Sequence, residues 1–242
     1  MAHGHEDWGA FAQVSTIYTV QDMGELAARM GSLALFDRRG NLCLSDDFES
    51  TTLKWGSDTL GANSARARST TSAFMGDASM ALTAGPDIDD YAKIYNSVGW
   101  IKAGKLGLEF VYNLPDNNVM LELHLRIHTG STQLNAKVRY DSYNYLLQYF
   151  DQSSTWQTFA TAVHVEPETY RYYAIKFVAD MVNKVYTRCI FNGIEYDLSA
   201  YSIQETAGAT APLLEVFISH HRLLDTTETV YIDNVLLTQN EP

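Results

Sequence analysis

The chain has 242 residues, of which 46% are hydrophobic and 12% aromatic. That length and apolar content allow one large β-sandwich or two small domains, and exclude disorder over most of the chain. A formal net charge of −12 argues against nucleic acid and against anionic membrane surfaces: phosphates need a basic stripe, and the densest basic runs are only Arg38-Arg39 and Arg66/Arg68.

Residues 1–13 carry His3, His5, Glu6 and Asp7 and no apolar stretch of the kind a secretion signal needs. The expectation is a chain kept inside a cell, stripped of a leader, or released within an assembled particle. The two histidines read as a solvated tail rather than a metal site. Ser15-Thr16-Ile17-Tyr18-Thr19-Val20 is extended. A short helix follows: Asp22 is placed to cap it, Glu25 completes a capping box, Leu26, Ala27 and Met30 form an apolar stripe, and Gly31 ends it. Three turns cannot build a core, so this helix must dock, with Leu26 and Met30 as the oligomer contacts. Leu33–Phe36, the turn at 37–41 and Leu42-Cys43-Leu44 read as a hairpin. The expected organisation is an arm and helix at 1–32, a hairpin connector at 33–45 and a β-sandwich at 46–242.

From residue 50 onward the period is two. Leu121, Leu123, Leu125 and Ile127 alternate with Glu122, His124, Arg126 and His128, a half-buried strand with one solvated face. Ala136, Val138 and Tyr140 alternate with Lys137 and Arg139. Tyr173, Ile175 and Phe177 share a face, and Val185–Phe191 pairs with that run across 180–184. Asn192-Gly193 is a type I′ hairpin signal. Leu213–Ser219 and Val230–Leu237 are the last strands. No apolar run of about 18 residues predicts a membrane span. Cys43 and Cys189 read as two buried free thiols.

Three stretches carry a resemblance: Asp46-Asp47-Phe48-Glu49 with Trp55, the Gly76–Leu82 turn and strand, and the closing Val230–Leu237. Together with Tyr172–Leu198 they resemble carbohydrate-binding modules and the concanavalin A-like, laminin-G-like jelly rolls. The implied fold is an all-β antiparallel jelly-roll sandwich, here preceded by an extended arm and one short helix. The resemblance also implies a structural calcium ion tying the first strand to the last, with Glu49, Asp77 and Asp233 as ligands. It further implies sugar stacking on aromatic rings, for which Trp100, Tyr143, Tyr145, Tyr149 and Trp156 are the candidates. Tyr143, Tyr145 and Tyr149 share one parity with Leu147. An outward row is a platform, and an inward row is core.

Catalytic patterns are weak. Glucanases of this fold class place two acids at alternating positions and a third acid three residues on. Glu195-Tyr196-Asp197 has the first two, but Ala200 stands at the third. Glu166 and Glu168 flank Pro167 in a loop. His124 and His128 lie roughly 13 Å apart on a strand, too far to share an ion. Asp87-Ile88-Asp89-Asp90 reads as a solvated turn. No phosphate loop or nucleophile elbow is present. The preferred reading is a non-catalytic structural protein of a particle surface, such as a phage capsid decoration or tail-associated protein, whose lectin-like sandwich binds glycans. Its partners are then copies of itself or capsid and tail proteins. A free carbohydrate-binding lectin is the alternative, and a glycosidase is disfavoured.

Overall fold

Alternating apolar residues make two pleated layers that can only bury their oily sides against each other. A computed structural model describes residues 37, 39–99, 104–223 and 226–242. Every element among them is a strand: β1 (Asn41–Asp46), β2 (Gly56–Leu60), β3 (Ala65–Ser69), β4 (Ser79–Ala84), β5 (Tyr91–Val98), β6 (Lys105–Leu114), β7 (Val119–His128), β8 (Thr132–Asp141), β9 (Leu146–Phe150), β10 (Trp156–Ala160), β11 (Glu168–Asp180), β12 (Val185–Phe191), β13 (Ile194–Asp197), β14 (Gln204–Ala207), β15 (Leu213–Arg222) and β16 (Glu228–Gln239). No helix among the described residues is long and apolar enough to cross a membrane. The arm and helix expected at 1–32, with Leu26 and Met30, lie outside the described residues. So does the first half of the hairpin expected at 33–45; its second half is β1, which pairs with β16.

The strands form two antiparallel sheets. The first runs β13-β12-β11-β6-β16-β4-β3, with β1 also on β16. The second runs β10-β9-β8-β7-β15-β5-β2, with β14 on β8. The twelve residues of β16 pair with β6 on one side. On the other, β4 pairs with Glu228–Ile232 and β1 with Val235–Gln239. The handover falls at Asp233 and Asn234, where the ladder to β6 shifts register and Asn234 takes a φ of 49°. This is a bulge of the kind that bends a strand. Asn192 and Gly193 have φ of 49° and 82°, the pair of positive values a type I′ hairpin requires.

The core lies between the sheets. Leu121, Leu123, Leu125 and Ile127 of β7 face Leu106, Leu108, Phe110 and Tyr112 of β6 in one continuous apolar cluster. Each such side chain contributes about 1.5–3 kcal/mol. Cys189 is buried within it, whereas Cys43 is only half-buried on β1; both thiols are free. Burial lifts the Cys189 thiol well above its ordinary range.

Tyr186 and His220 carry polar groups across this interior to the opposite sheet. Tyr186 of β12 reaches between β8 and β9. Its hydroxyl accepts the Lys137 N–H at 2.8 Å and lies 2.9 Å from the Phe150 and Lys137 carbonyls, to one of which it donates. The β8–β9 ladder ends at Val138↔Tyr149, so this phenol supplies the next rung. His220 of β15 is fully buried and donates from Nδ1 to the Leu82 carbonyl of β4 at 3.0 Å. Its Nε2 has no partner among the described residues.

Burial is the largest cause holding the His220 imidazole down, to about 4 from its ordinary 6.5. The unfolded chain therefore binds more protons between these values, so stability falls as pH drops from 6.5 towards about 4. The span corresponds to roughly 3 kcal/mol. Chemical denaturation across that window should show a shallower fall for His220→Gln than for the natural chain. Equal slopes would remove this account of His220.

Candidate functional site

Because inward positions are apolar, the outer face of the second sheet collects the polar partners of seven strands. The pairing places them in rows. One row runs Asp58, Lys93, Ser219, Glu122, Arg139, Gln148, Thr158 across β2, β5, β15, β7, β8, β9 and β10. A flanking row begins Gly56, Tyr95, Phe217, His124, Lys137, and beyond it Phe150 pairs with Trp156. On the opposite side Leu60, Tyr91, His221 and Met120 form a third.

Aromatic rings and cations interleave on this face. Phe217 stacks on His124 with centroids 4.8 Å apart and lies 4.6 Å beneath the Arg126 guanidinium. Lys137 lies 4.7 Å over Phe150 and Arg139 4.2 Å over Trp156. Lys93 sits 5.1 Å over Tyr91. Tyr95 packs beside Phe217 and lies over Gly56, where an added Cβ would meet its ring at 2.4 Å. Glycine at 56 is therefore what lets the tyrosine ring lie across the edge strand.

Hydrogen bonds fix the polar groups. Lys93 and the Tyr91 hydroxyl both reach Asp58 Oδ2, at 2.8 and 2.9 Å. The Lys93 bond, then the Tyr91 bond, hold the Asp58 carboxyl below its usual range, and the same hydrogen bond raises the Tyr91 phenol. Glu122 lies 3.4 Å from Lys137 and 3.9 Å from His221, whose Nε2 shares a 3.0 Å hydrogen bond with Ser219. Glu215 binds His128 at 2.9 Å and Arg126 at 3.4 Å. Burial, then the charges of Lys137 and Arg126, keep the His124 imidazole well below its ordinary value, so it is neutral at pH 7. Its Nε2 meets Asn135 Oδ1 at 3.1 Å. Burial also lowers His221, against the pull of Glu122.

Two depressions open here. One of about 240 Å³ lies between Tyr91, Glu122, His124, Lys137 and His221. The other, about 410 Å³, lies between Ser57, Asp58, Tyr95 and Glu215. Lys93 and Phe217 line both, so they form one trough.

The aromatic candidates read from sequence do not gather. Trp100 lies outside the described residues. Tyr143 is exposed in the turn after β8, and Tyr145, at a φ of 57°, packs on His164 with centroids 4.2 Å apart. Tyr149 faces inward, stacked on Tyr201 at 4.3 Å and edge-on to Tyr186. Its parity is fixed by pairing with Val138, an inward residue, so this candidate is core rather than platform. Trp156 stands on the outer face beside Phe150, beyond the residues that line the trough, and Arg139 covers one of its faces. Sequence reading missed Tyr91, Lys93, Tyr95 and Phe217. Their signal was the alternation of aromatic and polar residues within β5 and β15, legible as a site only once those strands are neighbours. His124 and His128 sit on the polar face as expected, yet both are buried, not solvated.

The calcium candidates meet around one loop. Glu49 Oε1 accepts the Asp77 and Ala78 N–H groups, each at 2.9 Å. Asp233 Oδ2 accepts from Phe74 and Met75 at 2.9 and 3.2 Å, and its Oδ1 from Asn234 at 2.8 Å. Asp77 enters through its backbone. Burial raises the Asp233 carboxyl to about 6 against these amides, and Glu49 adds to the rise. Gly76 must be glycine there: at a φ of 71° an added Cβ would lie 2.2 Å from Glu49 Oε1. Among the described residues no three side chains of His, Cys, Asp or Glu converge as a metal group. Glu195 and Asp197 lie on β13, an edge strand of the other sheet, and Asp197 accepts the Ser199 N–H at 2.8 Å.

Comparison with solved structures shows a shared fold at low identity. The cellulose-induced protein Cip1 matches at 16% identity and a TM-score of 0.55, over 81% of this chain and 97% of its own. An endo-β-1,4-glucuronan lyase from the fungus Trichoderma reesei matches at 8% identity and a TM-score of 0.58, over 83% and 96%. A β-glucanase of Bacillus licheniformis matches at 10% identity and a TM-score of 0.50, over 83% and 99%. No protein-family model and no curated protein matches the chain. The two-sheet antiparallel jelly-roll sandwich is thus a fold this chain shares with these three proteins.

Proposed function

We propose that this chain binds glycans in the trough across its second sheet and does not turn them over. The carrying observation is the pinned strip of aromatic rings and hydrogen-bonding side chains from Asp58 to Thr158. A saccharide offers an apolar C–H face and a polar rim, and such a strip meets both. The glycan-active proteins that share the fold support the same reading. Binding without turnover is supported by the carboxylates. A glycosidase needs an acid held protonated near neutrality. Asp58 on this face is pushed the other way, while the raised carboxyls, Asp233 and Glu228, lie elsewhere.

Tyr95 at the open rim is the stacking ring to test. A glycan array followed by calorimetry should find a saturable saccharide ligand, weakened about threefold to tenfold by Tyr95→Ala. The ligand should be recovered intact after prolonged incubation. Released products that vanish in Glu122→Gln would overturn the non-catalytic part, and no saccharide binding would overturn the whole.

Calcium at Glu49, Asp77 and Asp233 is a separate proposal that rests on the fold resemblance. A cation bound only by the folded chain raises its Tm. Adding calcium to chelator-treated protein should do so, and an unchanged Tm removes the idea.

The setting we propose is a particle surface, with the segment 1–32 joining copies of the chain. Light scattering should show a multimer that is lost when 1–32 are deleted while the β-sheet circular dichroism persists. A monomer before and after deletion counts decisively against it.

A further inference from the structure

One buried amide beside the trough fixes where a neighbouring histidine carries its proton. Asn135 is buried on β8, and one atom of its side-chain amide meets three nitrogens: Arg126 Nε at 3.2 Å, Gln133 Nε2 at 3.0 Å and His124 Nε2 at 3.1 Å. Arginine Nε can only donate, so that atom is the oxygen. The amide nitrogen then donates to Gln204 Oε1 at 2.9 Å. His124 Nε2 faces the same oxygen, so it carries a hydrogen and donates as well.

The His124 ring is neutral at pH 7, held so by burial and by Lys137 of β8, Arg126 of β7 and Lys93 of β5. A neutral imidazole has one N–H, and here it is at Nε2, so Nδ1 is a bare acceptor. Nδ1 makes no hydrogen bond among the described residues. It is not sealed in the protein as His128 Nδ1 and His220 Nε2 are. The residue is only 4% exposed, yet it lines the smaller depression, and Phe217 stacks on one face of its ring. Ring position, tautomer and open nitrogen are thus set before a ligand arrives, which lowers the entropy lost on binding. The carboxylates of the trough are engaged differently: Asp58, Glu122 and Glu215 lie against Lys93, Lys137 and Arg126.

We propose that His124 Nδ1 accepts a hydrogen bond from one saccharide hydroxyl in the smaller depression, and that Asn135 is the positioning residue that keeps it an acceptor. The inference rests on the trough being the saccharide site. It gives that site a specificity: the ligand must present a free hydroxyl at this point, and a glycan alkylated or acylated there is refused. An ether or ester oxygen has no proton to give and would meet the nitrogen lone pair to lone pair.

The full chain, with isotope-labelled histidine, is first read by NMR. His124 should show hydrogen on Nε2 and none on Nδ1, unchanged from about pH 8 down to 6.5. Hydrogen on Nδ1 in the natural chain overturns the inference and leaves the trough as a saccharide site. Calorimetry then uses the β-1,4-linked glucose tetramer, chosen because all its hydroxyls are free, and analogues with single hydroxyls replaced by hydrogen or fluorine. At one position both replacements should weaken binding about threefold to tenfold. His124→Phe keeps a ring against Phe217. It should weaken the parent tetramer by a similar factor and make those same two replacements neutral. Losses that simply add overturn the contact with His124. Should His124→Phe not fold, Asn135→Asp tests the same point. A carboxylate beside Nε2 favours the imidazolium, Nδ1 gains a proton, and affinity should fall with decreasing pH where that of the natural chain stays level. A profile as level as the natural one overturns the role of Asn135. No binding of the tetramer overturns the trough reading, and this inference with it.

Discussion

Everything on the ligand face depends on how the interior is closed. Two sheets bury their apolar sides at lower cost when the polar groups that enter between them find partners there. Tyr186 shows the constraint at work. Its hydroxyl leaves the first sheet, crosses the core and takes the place of a missing backbone rung at Lys137 and Phe150. Those same two residues carry a cation and its aromatic bed on the outer surface. One phenol in the core thus holds β8 and β9 at the spacing that the trough uses. His220 makes a second such crossing, to Leu82, and burial keeps its ring neutral at pH 7. The opposite side of the second sheet is therefore not an independent surface. Its geometry is inherited from bonds made inside.

On that surface the problem is electrostatic. Four cations share a half-buried strip, and each has an aromatic ring beneath it. A ring face attracts a cation and limits its motion, at about 0.5–1 kcal/mol where water still reaches. His124 sits among three of them and stays neutral, because burial and the charges of Lys137, Arg126 and Lys93 outweigh its bond to Asn135. A protonated His124 would add a further positive charge where three are already crowded. Its neutrality leaves the ring free to stack on Phe217, so the strip is rigid as well as charged.

The fold was legible in the sequence because its strongest signal is local. Leu121 through Ile127 show their period without any knowledge of neighbours, and Asn192-Gly193 specifies its own turn. The site was not legible, because it is made by register between strands distant in the chain. Lys93 and Glu122 flank Ser219, yet nothing within β5, β7 or β15 states that they are adjacent. Tyr149 makes the same point in reverse. Its parity matched a row of tyrosines in sequence, but the turn at Ser142–Tyr145 breaks that row, and pairing with Val138 then turns Tyr149 inward. Parity within one strand says which residues share a face; only the partner strand says which face is outside.

The acidic composition illustrates how a global number misleads about a local field. Much of the negative charge is used in turns. Asp46, Asp116, Asp141, Asp151, Asp180 and Asp197 each accept a backbone N–H two or three residues ahead. This is the short-range bond that makes aspartate a turn residue. Sixteen strands among the described residues need many turns, and an acidic balance follows from supplying them. The turns lie at the ends of the strands, away from the middle rows of the second sheet, where Lys93, Arg126, Lys137 and Arg139 are set. Net charge describes solubility and long-range steering. Ligand sign is decided over a few ångströms, by which groups near the site have already found a counter-charge. In this chain several of the acids are committed to backbone amides, and Asp58, Glu122 and Glu215 pair with three cations of the ligand face.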